Sequence, residues 1–252
     1  MFFFSLIGVA LCLAEEKHDE KKKPEPPSIA VVIPLGVIPG VTNKIKIRGQ
    51  NLTNVNELRF TDTNCHAEIL IRSKGKVEVP KEMEAKKVGD TQIEVELKLA
   101  DETLPGTNTF TLISPDGESK THPLLVAEPG SLVFEKEPNG GFREAQEFQF
   151  GKRLQGAIQE PKDVDVFSFR AKGNQKIVAE IFAARFGSPL DSLLTLYDER
   201  GLILATNDDS DSSADSILRA ELPAEGKYFL SLIDAHDRGS VAHVYQLMVS
   251  LE

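Results

Sequence analysis

Apolar and polar residues alternate along most of this chain with a period of two. That is the spacing of strands that turn one face to a core and the other to water. Residues 92–99 show it most clearly: Ile93, Val95, Leu97 and Leu99 interleave with Gln92, Glu94, Glu96 and Lys98. Residues 44–48 alternate in the same way and stop at Gly49-Gln50-Asn51. Shorter runs at 29–33, 57–60, 67–71 and 109–113 predict further strands between turn signals such as Ser114-Pro115-Asp116-Gly117. About seven short strands within 28–127 predict an immunoglobulin-like sandwich. Pro129-Gly130 marks a join at 128–134. Beyond it, runs at 167–169, 176–183, 193–197, 202–205, 226–232 and 245–251 make residues 135–252 a second all-β unit. The expected fold is therefore all-β, with two tandem β-sandwiches.

The ends and the charge set the compartment. Residues 1–14 are an apolar run that turns charged at Glu15. It is shorter than the roughly 20 residues a bilayer span needs. It fits a secretory signal peptide cleaved after Ala14, although no Lys or Arg precedes the apolar stretch. A lipoprotein signal with Cys12 lipidated is the second reading, and Leu11 before it is large for that pattern. Residues 15–27 form a charged, Pro-ending linker with almost nothing to bury, expected to be disordered. The mature chain then has no transmembrane segment. The net charge of −10 leaves no basic stripe for phosphates, which argues against nucleic acid. Residues 135–252 carry 13 basic and 20 acidic groups, hence −7 of that total.

Once the leader is removed, Cys65 is the one cysteine left, so no intramolecular disulfide can form. Cys65-His66 lacks the further ligands that structural zinc needs, and a half-buried thiol near a strand end is expected. Glu135-Lys136-Glu137-Pro138-Asn139 is extended, because Pro138 and the following Gly140-Gly141 exclude a helix. Glu135, Glu137 and Asn139 then share one face and offer two carboxylates and an amide oxygen. Hard oxygen ligands of this kind suit Ca²⁺. Residues 207–215 look superficially like an EF-hand loop but lack its sixth-position glycine and its flanking helices. Asn207 and the following acids read better as caps on backbone amides. His236 stands between Asp234 and Asp237 with no nucleophile at fixed spacing. No esterase, zinc-protease or Walker motif occurs, so an enzyme is not expected.

Two resemblances sharpen this picture. Ile33-Pro34, Gly40 and Ile45-Lys46-Ile47-Arg48-Gly49-Gln50-Asn51-Leu52 make residues 28–127 similar to an IPT/TIG domain. Asn51-Leu52-Thr53 is also a glycosylation sequon, and Asn51 is read as a left-handed turn residue. In the second unit the matching pieces are Glu135-x-Glu137-x-Asn139, Gly156, Asp163-Val164-Asp165-x-Phe167-Ser168-Phe169 and Leu190-Asp191-x-x-Leu194-x-Leu196-Tyr197. Asn207-Asp208-Asp209, Leu222-Pro223 and Gly226-x-Tyr228 follow in order. Residues 135–252 thus resemble the bacterial pre-peptidase C-terminal (PPC) domain, a jelly-roll-like sandwich of secreted proteins that often follows a protease domain. The resemblance implies Ca²⁺ held by Glu135, Glu137, Asn139 and Asp165, with Asp163 as a further ligand. Gly140 stands where the family has an aspartate, which implies weaker binding or one site fewer. Some members bind collagen through exposed tyrosines. This chain has only Tyr197, Tyr228 and Tyr245, with Tyr197 and Tyr228 expected in the core.

The expected function is that of a secreted, calcium-stabilised binding or adhesion module pair. It would act in the periplasm, at the bacterial cell surface or outside the cell, on an extracellular protein or polysaccharide. The alternative is an accessory or pro-domain-like subunit of a separately encoded secreted hydrolase or peptidase. A cation would also order residues 128–140 and set the angle between the sandwiches.

Overall fold

The computed structural model describes residues 24–211 and 213–252. The expected leader at 1–14, with Cys12, and all of the charged linker except 24–27 lie outside the described residues.

The first unit contains β1 (Ser28–Ile33), β2 (Gly36–Val37), β3 (Asn43–Gln50), β4 (Glu57–Phe60), β5 (Ala67–Lys76), β6 (Thr91–Leu99), β7 (Gly106–Ser114), β8 (Gly117–Glu118) and β9 (His122–Val126). One sheet runs β1-β3-β6-β5, and the facing sheet runs β2-β9-β7-β4 with β8 on β7. The alternation read in β6 is the burial seen: Ile93, Val95, Leu97 and Leu99 enter the core with Ile45 and Ile47. They meet Leu58, Phe110, Leu112 and Leu124 from the other sheet. Asn51 takes φ 59°, the left-handed conformation expected of it. Cys65 is a half-buried thiol just before β5.

The second unit contains β10 (Leu132–Phe134), β11 (Gln146–Glu147), β12 (Arg153–Ala157), β13 (Asp165–Ala171), β14 (Lys176–Phe182), β15 (Ser192–Tyr197), β16 (Ile203–Asn207), β17 (Ile217–Glu221), β18 (Gly226–Asp234) and β19 (Val244–Leu251). Its sheets run β10-β12-β19-β14-β17 and β11-β13-β18-β15-β16. Phe167, Phe169, Ile177, Leu194, Leu230 and Leu247 fill the space between them. The segment read as a join contributes β10, which pairs in parallel with β12. Tyr228 is buried, whereas Tyr197 is half-buried on the outer face.

The sandwiches are packed against each other. Val31, Leu35, Val88 and Leu125 of the first form one apolar cluster with Phe186, Ala242 and Val244 of the second. Gly36 N donates to Gln155 Oε1 (2.7 Å), which also accepts from Gln246 Nε2 (2.9 Å). Side-chain packing and these hydrogen bonds thus join the two units. Among the described residues no helix is long and apolar enough to cross a membrane.

Candidate metal centre

Glu135 leaves β10 in extended conformation, and its N–H donates to Gln155 O of β12 (2.9 Å). Two residues on, the Glu137–Pro138 bond is cis, and the chain turns so that Asn139 falls inside the domain, fully buried. Val166 N donates to Asn139 O (3.0 Å), which fixes this segment against β13. The next residues carry Phe142 onto the outer face of the β13–β18 sheet. Its ring stacks on Phe229 at 4.5 Å and meets Tyr197 edge-on at 5.1 Å.

These contacts gather Glu135, Glu137 and Asp165, whose ligand oxygens lie within 4.8 Å of one another. Asn139 Nδ2 donates to Glu135 Oε1 (2.9 Å), and Asn139 N donates to Glu137 Oε2 (3.0 Å). Ala157 N donates to Glu135 Oε2 (2.9 Å). From β19, the Tyr245 hydroxyl sits 2.9 Å from Glu135 Oε1 and 2.6 Å from Asp165 Oδ2, supplying one proton to two carboxylates. Gly156 makes room for them: a Cβ there would lie 2.6 Å from both Glu135 Oε2 and the Tyr245 hydroxyl.

The electrostatics are those of a site short of positive charge. Burial first, then the Glu135 carboxylate, pushes the Asp165 carboxyl up to about 10, against the Tyr245 hydrogen bond. Partial desolvation, with Glu135 and Asp163 behind it, raises Glu137 against the Asn139 N–H. Burial, then the Asp165 and Glu135 carboxylates, raises Tyr245. Two buried oxygens, Asn139 Oδ1 and Asp165 Oδ1, have no hydrogen-bond partner. Buried acceptors are rarely left this way, because an unmade bond costs about 1–3 kcal/mol. Unpartnered carboxylate and amide oxygens beside two more carboxylates fit Ca²⁺, which takes six to eight oxygens.

Of the five residues expected to hold the ion, Glu135, Glu137, Asn139 and Asp165 converge. Asp163 sits beside them, outside the group of oxygens that lie within 4.8 Å of one another. Its Oδ2 accepts from Gln159 N (2.7 Å) and its Oδ1 from Val164 N (2.9 Å), so it caps the turn that delivers Asp165. Tyr245 and Gly156 complete the cradle. Gly156 carried a sequence signal only through the PPC resemblance, and Tyr245 carried none. In the EF-hand-like stretch, Asn207 Oδ1 accepts from Ile217 N (2.7 Å), and Asp215 takes the amides of Ala183, Ala184 and Arg185. Those residues cap backbone. His236 is solvent-facing, with Nδ1 3.2 Å from Asp191 Oδ2, and among the described residues no hydroxyl or thiol hydrogen-bonds to it.

No family model matches the sequence. A probable subtilase-type serine protease of Deinococcus radiodurans is 41% identical over 99 residues, 38% of this chain and 14% of that protein. The chain thus spans about one-seventh of the length of this curated relative. Among solved structures, the pre-peptidase C-terminal domain of a Bacillus anthracis collagenase is matched whole. It covers 46% of this chain at 16% identity and a TM-score of 0.35. A periplasmic inhibitor of g-type lysozyme from Aeromonas hydrophila, PliG, is matched over 96% of its length and 43% of this chain, at 19% identity and a TM-score of 0.34. Scores of this size fix neither a family nor an activity.

Proposed function

We propose that this chain is a non-catalytic binding protein that works outside the bacterial cytoplasm, with calcium held in the PPC-like sandwich by Glu135, Glu137, Asn139 and Asp165. The observation that carries the reading is the pair of buried, unpartnered oxygens, Asn139 Oδ1 and Asp165 Oδ1, set among clustered carboxylates. Bound calcium would supply the positive charge that this oxygen set lacks. The chain's own residues do the rest. Tyr245 and Ala157 orient Glu135, Asn139 ties Glu137, and Asp163 holds the turn before Asp165. The segment after Asn139 then lies flat on the sheet through Phe142. The first sandwich, which resembles an IPT/TIG domain, adds a second rigid binding surface.

A secreted hydrolase as partner is the second reading, and the match to a probable subtilase-type protease favours it. One experiment separates the two. The tagged chain is incubated with cell envelope, purified glycans and culture supernatant, with calcium and with chelator. Calcium-dependent retention on envelope or glycan supports the binding role. Recovery of a hydrolase supports the accessory role. Retention on none of them overturns both.

A further inference from the structure

One sheet of the first sandwich ends on β5, which is hydrogen-bonded only to β6. The C-terminal half of β5 is guarded. A bulge falls at Arg72, Lys74 folds onto the Val55 carbonyl, and Lys76 follows. Bulges and lysines are common protections for a free edge. The N-terminal half, Ala67-Glu68-Ile69-Leu70-Ile71, has none. Leu70 is 47% exposed, and Ile69 and Ile71, which point toward the core, are only half-buried. A groove of about 610 Å³ separates them from Leu58 of β4, the free edge of the facing sheet.

We propose that this edge joins two copies of the chain, with β5 pairing antiparallel to itself about a two-fold axis at Leu70. The charge pattern is what selects a second copy. Pairing about Leu70 sets Leu70 opposite Leu70, Ile69 opposite Ile71, and Glu68 opposite Arg72. Glu68, Leu70 and Arg72 all lie on the solvent face of the sheet. Glu68 has no ion-pair partner among the described residues, and Arg72 holds Glu96 through one nitrogen at 2.6 Å. A guanidinium has five N–H donors, so Arg72 can take a second carboxylate. Two Glu68–Arg72 pairs then flank an aliphatic centre, each reaching across at the bulge where the regular ladder stops. The result is a continuous eight-stranded sheet. Residues 67–73 from each chain fall well short of the roughly 20–30 residues a side of a stable complex, so the dimer is weak and concentration-dependent.

The test is sedimentation equilibrium of the full chain from micromolar to millimolar concentration, with circular dichroism confirming the fold of each variant. The wild type is expected to self-associate. Glu68→Arg and Arg72→Glu each place like charges across the axis and should weaken association about tenfold or more. The double variant restores opposite charges and should recover it to within a few-fold of wild type. A chain that stays monomeric throughout overturns the proposal. So does a dimer indifferent to the single swaps, which would assign association to another surface. Protection of β5 amides from exchange by a foreign extended peptide, with the chain itself monomeric, would give the edge to a different occupant and also overturn it.

Discussion

At the scale of single residues, Asp165 carries the most chemistry. Its folded carboxyl is pushed up to about 10 by burial and the Glu135 charge, while the unfolded chain titrates near the ordinary value of about 4. The metal-free folded state therefore binds the extra proton between about pH 4 and 10, so its stability falls as pH rises through that window. Asp165→Asn keeps a neutral group in place. Its metal-free melting temperature should lose most of that pH dependence, and calcium should no longer raise it. A variant as pH-sensitive as the wild type would assign the effect to other groups. Gly156 offers a test that leaves every ligand intact. Gly156→Ala places a methyl against Glu135 and Tyr245, and calcium affinity should fall at least about tenfold by calorimetry. Unchanged affinity would show that the cradle is not built as described.

At the scale of elements, the site depends on two extended segments meeting from far apart in sequence. Glu135, Glu137 and Asn139 were legible as closely spaced oxygen ligands where Pro138 forbids a helix, although a bend at Glu137, and not a period of two, carries Asn139 inward. Asp165 was legible only through its family-like position before a Phe-x-Phe strand. Tyr245 could not be read, because its partners lie 110 and 80 residues away and only the pairing of β12 with β19 brings it there. The same physics hid the short strands. β2, β8 and β11 span two residues each, too few to show any period. β10 and β12 are set by register with neighbours and not by their own alternation. The 140–145 segment makes its own prediction. Phe142→Ala removes the ring stacked on Phe229 and should lower stability by about 1–2 kcal/mol in chemical denaturation. Calcium affinity should fall with it, because Asn139 is the anchor of the same segment.

At the scale of the whole molecule, the two sandwiches share one apolar seam. The seam carries His122, whose pKa burial lowers to about 4, against an opposing effect of the Phe186 backbone of the other unit. His243, buried behind the seam, is likewise lowered to about 4 by burial. The unfolded chain takes up these protons near pH 6.5, so stability should decline as pH falls from about 6.5 toward 4. The two effects oppose each other below about pH 6.5, where the two histidines outweigh the one carboxyl, and only Asp165 acts above it, so metal-free stability should peak near pH 6.5. Gly187 has φ 86° and packs against Ala30 and His122, leaving no room for a side chain. Gly187→Ala should therefore destabilise the seam by roughly 2 kcal/mol or more and split a single melting transition into two. A single transition in that variant would mean that the seam contributes little to cooperativity. Two all-β units could be read from alternation and turns, but not that residues 132–134 of the join form a strand of the second. Their mutual packing could not, since Leu35, Leu125 and Val244 look like any other core residue along the chain.

The most direct measurement is calorimetric titration of the full chain with calcium at neutral pH, in two buffers of different ionisation enthalpy, beside Asp165→Asn. The wild type is expected to bind calcium and release a proton, seen as a buffer-dependent heat, and to melt higher with calcium. Asp165→Asn should show neither. No heat and no melting shift for the wild type at millimolar calcium would contradict the metal centre and leave the Glu135 cluster as a buried, proton-sharing acid pair.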